Sequence, residues 1–140
     1  MRKALDTNVL VRALVHDGSR QCEIALSTLD SGAVHIPLTV VLETEWVLRS
    51  HFELGRKLVN SLLVSFLSRD NIEVEQRETI ENAVLAHQHG WDFADALHVF
   101  AASEADVFLT FDRKLVKFAA KYGSPIPVNI PTVSKVRKAS

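Results

Sequence analysis

Along the 140-residue chain, short apolar runs alternate with stretches whose apolar residues recur at helical spacing. The first run, Ala4-Leu5, meets Asp6, Thr7 and Asn8, and apolar residues resume at Val9, Leu10, Val11 and Leu14. That pattern predicts a short buried strand, a polar tip and a helix start. Cys22, Ile24, Ala25, Leu26 and Leu29 follow at helical spacing, with Gly32 just past their end. Residues 33–36 are short and β-like and are closed by Pro37, while Thr39 is placed to cap a helix over residues 40–50. Leu54-Gly55-Arg56 separates this from a helix through Leu58, Leu62, Leu63, Phe66 and Leu67. Ile72-Glu73-Val74 predicts a strand, and residues 79–89 a helix stopped by Gly90. Asp92 opens a further helix over residues 91–104, its spacing to Asp95 matching an N-cap followed by an acidic third position. Val107-Phe108-Leu109-Thr110 is a continuous apolar run that predicts a strand buried on both faces. Asp112 ends it and is placed to cap a helix over residues 115–121. Residues 122–125 read as a turn, and residues 126–130, broken by Pro127, as an edge strand or extended loop.

Strands alternating with helices predict right-handed crossovers and a mainly parallel central sheet. The length suits one domain, and 47% apolar residues suffice for a real core. Residues 1–130 are assigned to that domain and residues 131–140 to a basic, flexible C-terminal tail. The helical pair between Val40 and Leu67 is the longest section without a strand and is expected to protrude as a clip or a homodimer surface. No apolar run reaches the roughly 18 residues of a membrane span. Cys22 stands alone, which excludes an intrachain disulfide and a cysteine zinc site. Asp6 and Asn8 interrupt the basic N-terminus before a signal peptide can form, so the expectation is a cytoplasmic protein.

Charge sharpens the picture. The net charge of −1 hides an asymmetry: residues 113–140 carry seven Lys/Arg and no Asp/Glu, leaving nine basic against 17 acidic residues before them. The strip holding Arg113, Lys114 and Lys117 is either a phosphate-binding patch or a solvated helix face.

Four acids need explaining. Glu43 has Val40, Trp46 and Val47 as its helical neighbours, which places it on the face expected to be buried; Glu45 and Arg49 read as an ordinary exposed pair. A carboxylate on such a face reaches solvent at its edge, pairs with a base or binds a metal. Asp95 is either a helix-dipole partner or a ligand, and Asp6 and Asp112, each just past a strand, are either caps or ligands. If parallel strands align, all four meet at one sheet edge, where open α/β sheets present their sites. Clustered carboxylates repel unless a cation balances them, and hard oxygen donors favour Mg²⁺ or Mn²⁺ over zinc. One or two such ions would activate a water and stabilise in-line displacement at a phosphate. Trp46 and Trp91 are expected in the core rather than as base-stacking platforms.

Leu5-Asp6-Thr7-Asn8-Val9-Leu10, Glu43, Phe93-Ala94-Asp95-Ala96-Leu97-His98 and Leu109-Thr110-Phe111-Asp112 together resemble the PIN-domain family, most closely the VapC toxins of type II toxin–antitoxin systems. The resemblance covers roughly residues 1 to 130. It implies a single-domain α/β/α sandwich with a central, mainly parallel sheet of four or five strands. It also implies a Mg²⁺- or Mn²⁺-dependent endoribonuclease that cuts structured RNA such as tRNA or rRNA and is silenced by an antitoxin. Asp6, Glu43, Asp95 and Asp112 match the family's acidic quartet. By that match Asp6 and Asp95 would be the firmest metal ligands, Glu43 would ligate or orient the attacking water, and Asp112 would ligate directly or through water. Thr7 or Asn8 would support the first acid, and Thr110 matches a hydroxyl that precedes the fourth. His98, one turn beyond Asp95, either steadies it or faces core or solvent. Two rivals remain open: a PIN nuclease of RNA processing or DNA repair, and a non-catalytic binding module whose acids are helix caps.

Overall fold

The computed structural model describes residues 1–133. The chain runs β1 (Lys3–Ala4), α1 (Thr7–Leu14), α2 (Arg20–Leu29), β2 (Val34–Ile36), α3 (Leu38–Ser50), α4 (Arg56–Leu67), β3 (Ile72–Val74), α5 (Arg77–Gln88), α6 (Phe93–Ala101), β4 (Phe108–Leu109), α7 (Arg113–Tyr122) and β5 (Val128–Asn129). The tail assignment beyond residue 133, with Lys135, Arg137 and Lys138, lies outside the described residues.

All strand pairs are parallel, as helical crossovers require. They form two sheets rather than one: a three-stranded sheet in the order β1-β2-β3 and a separate pair, β4-β5. Strands this short make few ladder bonds. Lys3 N–H to Ala33 (3.1 Å) and Leu5 N–H to His35 (3.2 Å) tie β1 to β2, while Phe108 N–H to Pro127 (2.8 Å) and Thr110 N–H to Asn129 (3.0 Å) tie β4 to β5. Pro127 lacks an N–H but still accepts through its carbonyl, which suits the edge strand expected there. The run at Val107–Leu109 is not buried on both faces: Val107 is 36% and Leu109 55% exposed, because among the described residues β5 alone pairs with it.

Val34 and Ile36 of the middle strand are fully buried and seat the core, which continues through Leu10, Leu48, Leu63, Phe66, Ile80 and Phe93. Trp91 lies inside, as expected. α3 packs on α1 and α6, and α4 packs on α3 and α5, so both helices rest on neighbouring helices. Leu58 and Val64 remain on the outer side of α4.

The main departure is the face α3 buries. Its inward residues are Val41, Thr44, Glu45 and Leu48, whereas Glu43 and Trp46 face outward. The segment carries apolar residues on both sides, so periodicity alone leaves its orientation open. Glu45 is therefore not part of an exposed pair; its carboxylate is buried and accepts from Arg49 Nε at 2.8 Å. Thr39 does not cap this helix, which starts earlier, at Leu38 behind Pro37. α6 ends at Ala101, before the expected residue 104, and α7 starts at Arg113, before residue 115.

A buried polar contact joins α4 to α5. Asn60 donates from Nδ2 to the Val84 carbonyl and lies against His87 Nδ1, both at 2.9 Å. Arg56 donates to the carbonyls of His87 (3.0 Å) and Trp91 (2.7 Å), holding the turn into α6. Gly90 sits in that turn with φ 109°, and a Cβ there would meet the Phe118 ring at 3.4 Å.

Burial, then the Arg56 guanidinium, push His87 down from 6.5 to about 4. The folded form thus binds this proton more weakly than the unfolded chain. Its stabilising effect is complete above pH 6.5 and is lost as pH falls toward 4. Denaturant titrations should show His87 costing the parent about 3 kcal/mol over that window, a slope absent in His87→Gln. Equal pH slopes in the two proteins would rule this out.

Candidate active site

Asp6 leaves β1 in extended backbone (φ −76°, ψ 159°) and caps α1, its Oδ1 accepting the Thr7 N–H at 2.8 Å. Thr7 turns inward and is buried, and its hydroxyl donates to Glu43 Oε1 at 2.5 Å. One residue thus links the first acid, through its backbone, to the second, through its side chain. Asn8 is exposed and accepts from Arg12 Nε at 3.1 Å. These groups line a cavity of about 760 Å³ between α1 and α3, with Trp46, Val47, Ser50, His51 and Phe52 forming its far wall.

Asp92 caps α6, accepting the Asp95 N–H at 2.9 Å, as its spacing predicted. Asp112 caps α7, its Oδ1 accepting from Lys114 N–H (2.9 Å) and Leu115 N–H (3.2 Å). Its own N–H donates to Thr110 Oγ1 at 3.0 Å, so that hydroxyl shapes the turn carrying the fourth acid. Burial raises the Asp95 carboxyl above its usual range, the charges of Asp92 and then Asp112 add to this, and His98 opposes them. His98 is exposed and lies within electrostatic reach of Asp95.

Thr7 thus joins Asp6 to Glu43, while Asp95 lies within the electrostatic reach of Asp92 and Asp112. Glu43 also borders a cleft of about 320 Å³ shared with Trp46, Arg49 and Ala94, the residue before Asp95. Among the described residues, no three His, Cys, Asp or Glu side chains gather closely enough to hold a metal by themselves. None of the four acids forms a salt bridge among the described residues. Oxygen-only donors with unbalanced negative charge fit a hard cation that keeps several waters and needs only one or two carboxylates. They do not fit zinc, whose sites close on three or four protein ligands.

Arg113, Lys114 and Lys117 are exposed on α7, with Lys114 Nζ 5.7 Å above the Phe118 ring. Several lining residues escaped the reading of the sequence, Arg12, Trp46, His51 and Phe52 among them. Arg12 follows Asn8 by one helical turn, a spacing that would have drawn it in. Trp46, expected in the core, is 55% exposed at the cavity rim. His51 and Phe52 follow the end of α3 and carry no local signal.

Polar residues past the carboxyl ends of parallel strands stand where an open α/β domain presents its site. The chain belongs to the PIN domain family: residues 3–121 match the family profile, and PIN domains are generally metal-dependent nucleases. No curated protein matches the chain at a significant level. No helix among the described residues is long and apolar enough to cross a membrane.

Among the described residues, Asp95 has the like charges of Asp92 and Asp112 around it and is opposed by His98. Asp95→Asn should therefore raise Tm in chelator at neutral pH and shrink the Tm gain that Mg²⁺ or Mn²⁺ gives the parent. Thermal melts with and without metal check this; a lower Tm in chelator would contradict the repulsion.

Proposed function

We propose that this PIN domain is a divalent-metal-dependent endoribonuclease, the toxin of a type II toxin–antitoxin pair of the VapC kind. The observation that carries the nuclease reading is the Asp6–Thr7–Glu43 linkage lining one cavity, with Ala94, the residue before Asp95, bordering the smaller cleft beside Glu43. The toxin assignment rests on the order of the four motifs along the chain.

Asp6, Glu43, Asp95 and Asp112 would hold Mg²⁺ or Mn²⁺, which when bound supplies a Lewis acid that activates water and stabilises charge on a phosphate. Thr7 keeps the Glu43 carboxylate aimed into the cavity. Asp6 caps its helix through Oδ1, so Oδ2 would ligate a metal without loss of the cap. Thr110 and His98 support Asp112 and Asp95. Arg113, Lys114 and Lys117 on α7 draw RNA phosphate, an attraction that salt weakens. Cleavage leaves a 3′-hydroxyl and a 5′-phosphate and needs no covalent enzyme intermediate. The cytoplasm is the natural setting, the outward apolar residues of α4 offer a homodimer surface, and a basic antitoxin side chain would silence the acidic cleft.

Asp6→Asn should keep the fold, since Asn caps helices as well as Asp. Induced expression of the parent should arrest growth and produce RNA ends bearing 5′-phosphate, and Asp6→Asn should do neither. Thr7→Val, which removes only the hydrogen bond to Glu43, should slow Mn²⁺-dependent RNA cleavage about 10- to 100-fold. Undiminished cleavage by Asp6→Asn would overturn the active-site assignment. A parent that cuts RNA without harming growth would point to an RNA-processing nuclease, and one that cuts no nucleic acid to a binding module.

A further inference from the structure

Trp46 is the largest side chain on the outward face of α3 and is 55% exposed. It lies one turn from Glu43 and, like Glu43, borders both the larger cavity and the smaller cleft. The indole therefore borders both hollows beside Glu43. A guanidinium lines each. Arg12 lines the larger cavity, held by Asn8 and by an ion pair with Asp17 at 3.6 Å. Arg49 lines the cleft, held by Glu45, whose side chain is only 3% exposed. A buried carboxylate that fixes a half-exposed arginine presents a cation in one orientation.

An exposed indole beside carboxylates, flanked by two positioned cations, matches one kind of occupant. The occupant is flat and apolar where it meets the ring and anionic on both sides. We propose that Trp46 is the stacking platform for an unpaired RNA base next to the cleaved bond, with Arg12 and Arg49 holding the phosphates that flank it. A base paired inside an A-form helix is covered on both faces and does not reach the ring, so the site selects loops and single-stranded segments. This proposal rests on the nuclease reading of the same site.

The chain has two tryptophans, and Trp91 is 1% exposed, so ligand-dependent emission reports Trp46. The full chain carrying Asp6→Asn is titrated, without turnover, with a single-stranded RNA 12-mer and with the same sequence as a duplex. Single-stranded RNA should quench the emission to saturation, and the duplex should not. By anisotropy of labelled RNA, Trp46→Ala should weaken binding about tenfold and Trp46→Phe should restore most of it. On the otherwise wild-type chain, Trp46→Ala should raise KM more than it lowers kcat. Unchanged emission with single-stranded RNA, or parental affinity in Trp46→Ala, would overturn the proposal. So would an emission shift that follows protein concentration without RNA, since a second copy would then cover the ring. If RNA quenches Trp46 but the wild-type chain leaves it uncut, stacking stands and the nuclease reading falls. If the wild type cuts RNA and Trp46→Ala cuts it with the same KM, stacking falls and the nuclease reading stands.

Discussion

The site depends on which face of α3 turns inward. Burying Val41, Thr44, Glu45 and Leu48 sets Glu43 and Trp46 on the opposite face, one turn apart, above the end of β1. The choice has a cost, because Glu45 enters the interior as a carboxylate and the Thr44 hydroxyl is buried without a hydrogen-bond partner among the described residues. Arg49 offsets the first cost by reaching back one turn to Glu45. The reverse orientation would bury Trp46 and Val47 but also Glu43, with no arginine one turn along to meet it.

Thr7 makes that orientation useful. It is small enough to sit buried at the first turn of α1, and its backbone and hydroxyl serve different acids. Helix capping and site assembly are thus one device here. The same economy recurs at Asp112, which caps α7 while Thr110 supports its backbone, and at Asp92, which caps α6 beside Asp95. Asp6 and Asp112 cap the helices that leave β1 and β4, whereas Asp92 caps the helix that follows α5. Burial raises the Asp95 carboxyl, and the charges of Asp92 and Asp112 add to that rise.

Much of the fold was legible because strand, helix and breaker signals are local. The helix at residues 20–29, the strand at 72–74, the stop at Gly90 and the Asp92 cap need only short-range chemistry. The acids were legible for the same reason, each sitting at an element boundary or breaking an apolar stretch. What the spacing did not reveal was that, among the described residues, no three of the acids gather closely enough to hold a metal by themselves, or that the strands of the described residues split into two sheets. Both depend on the relative placement of elements far apart in the chain.

By itself the sequence determined the order of elements, the acids at strand ends and the match to the PIN family, since these follow from residue type and near neighbours. Tertiary structure decided that Trp46 faces the cavity, that Glu45 is buried against Arg49, and that Thr7 joins Asp6 to Glu43. The reason is that α3 carries apolar residues on both sides. Only its packing between α1 and α6 selects which side meets the core, and hence which side forms the site.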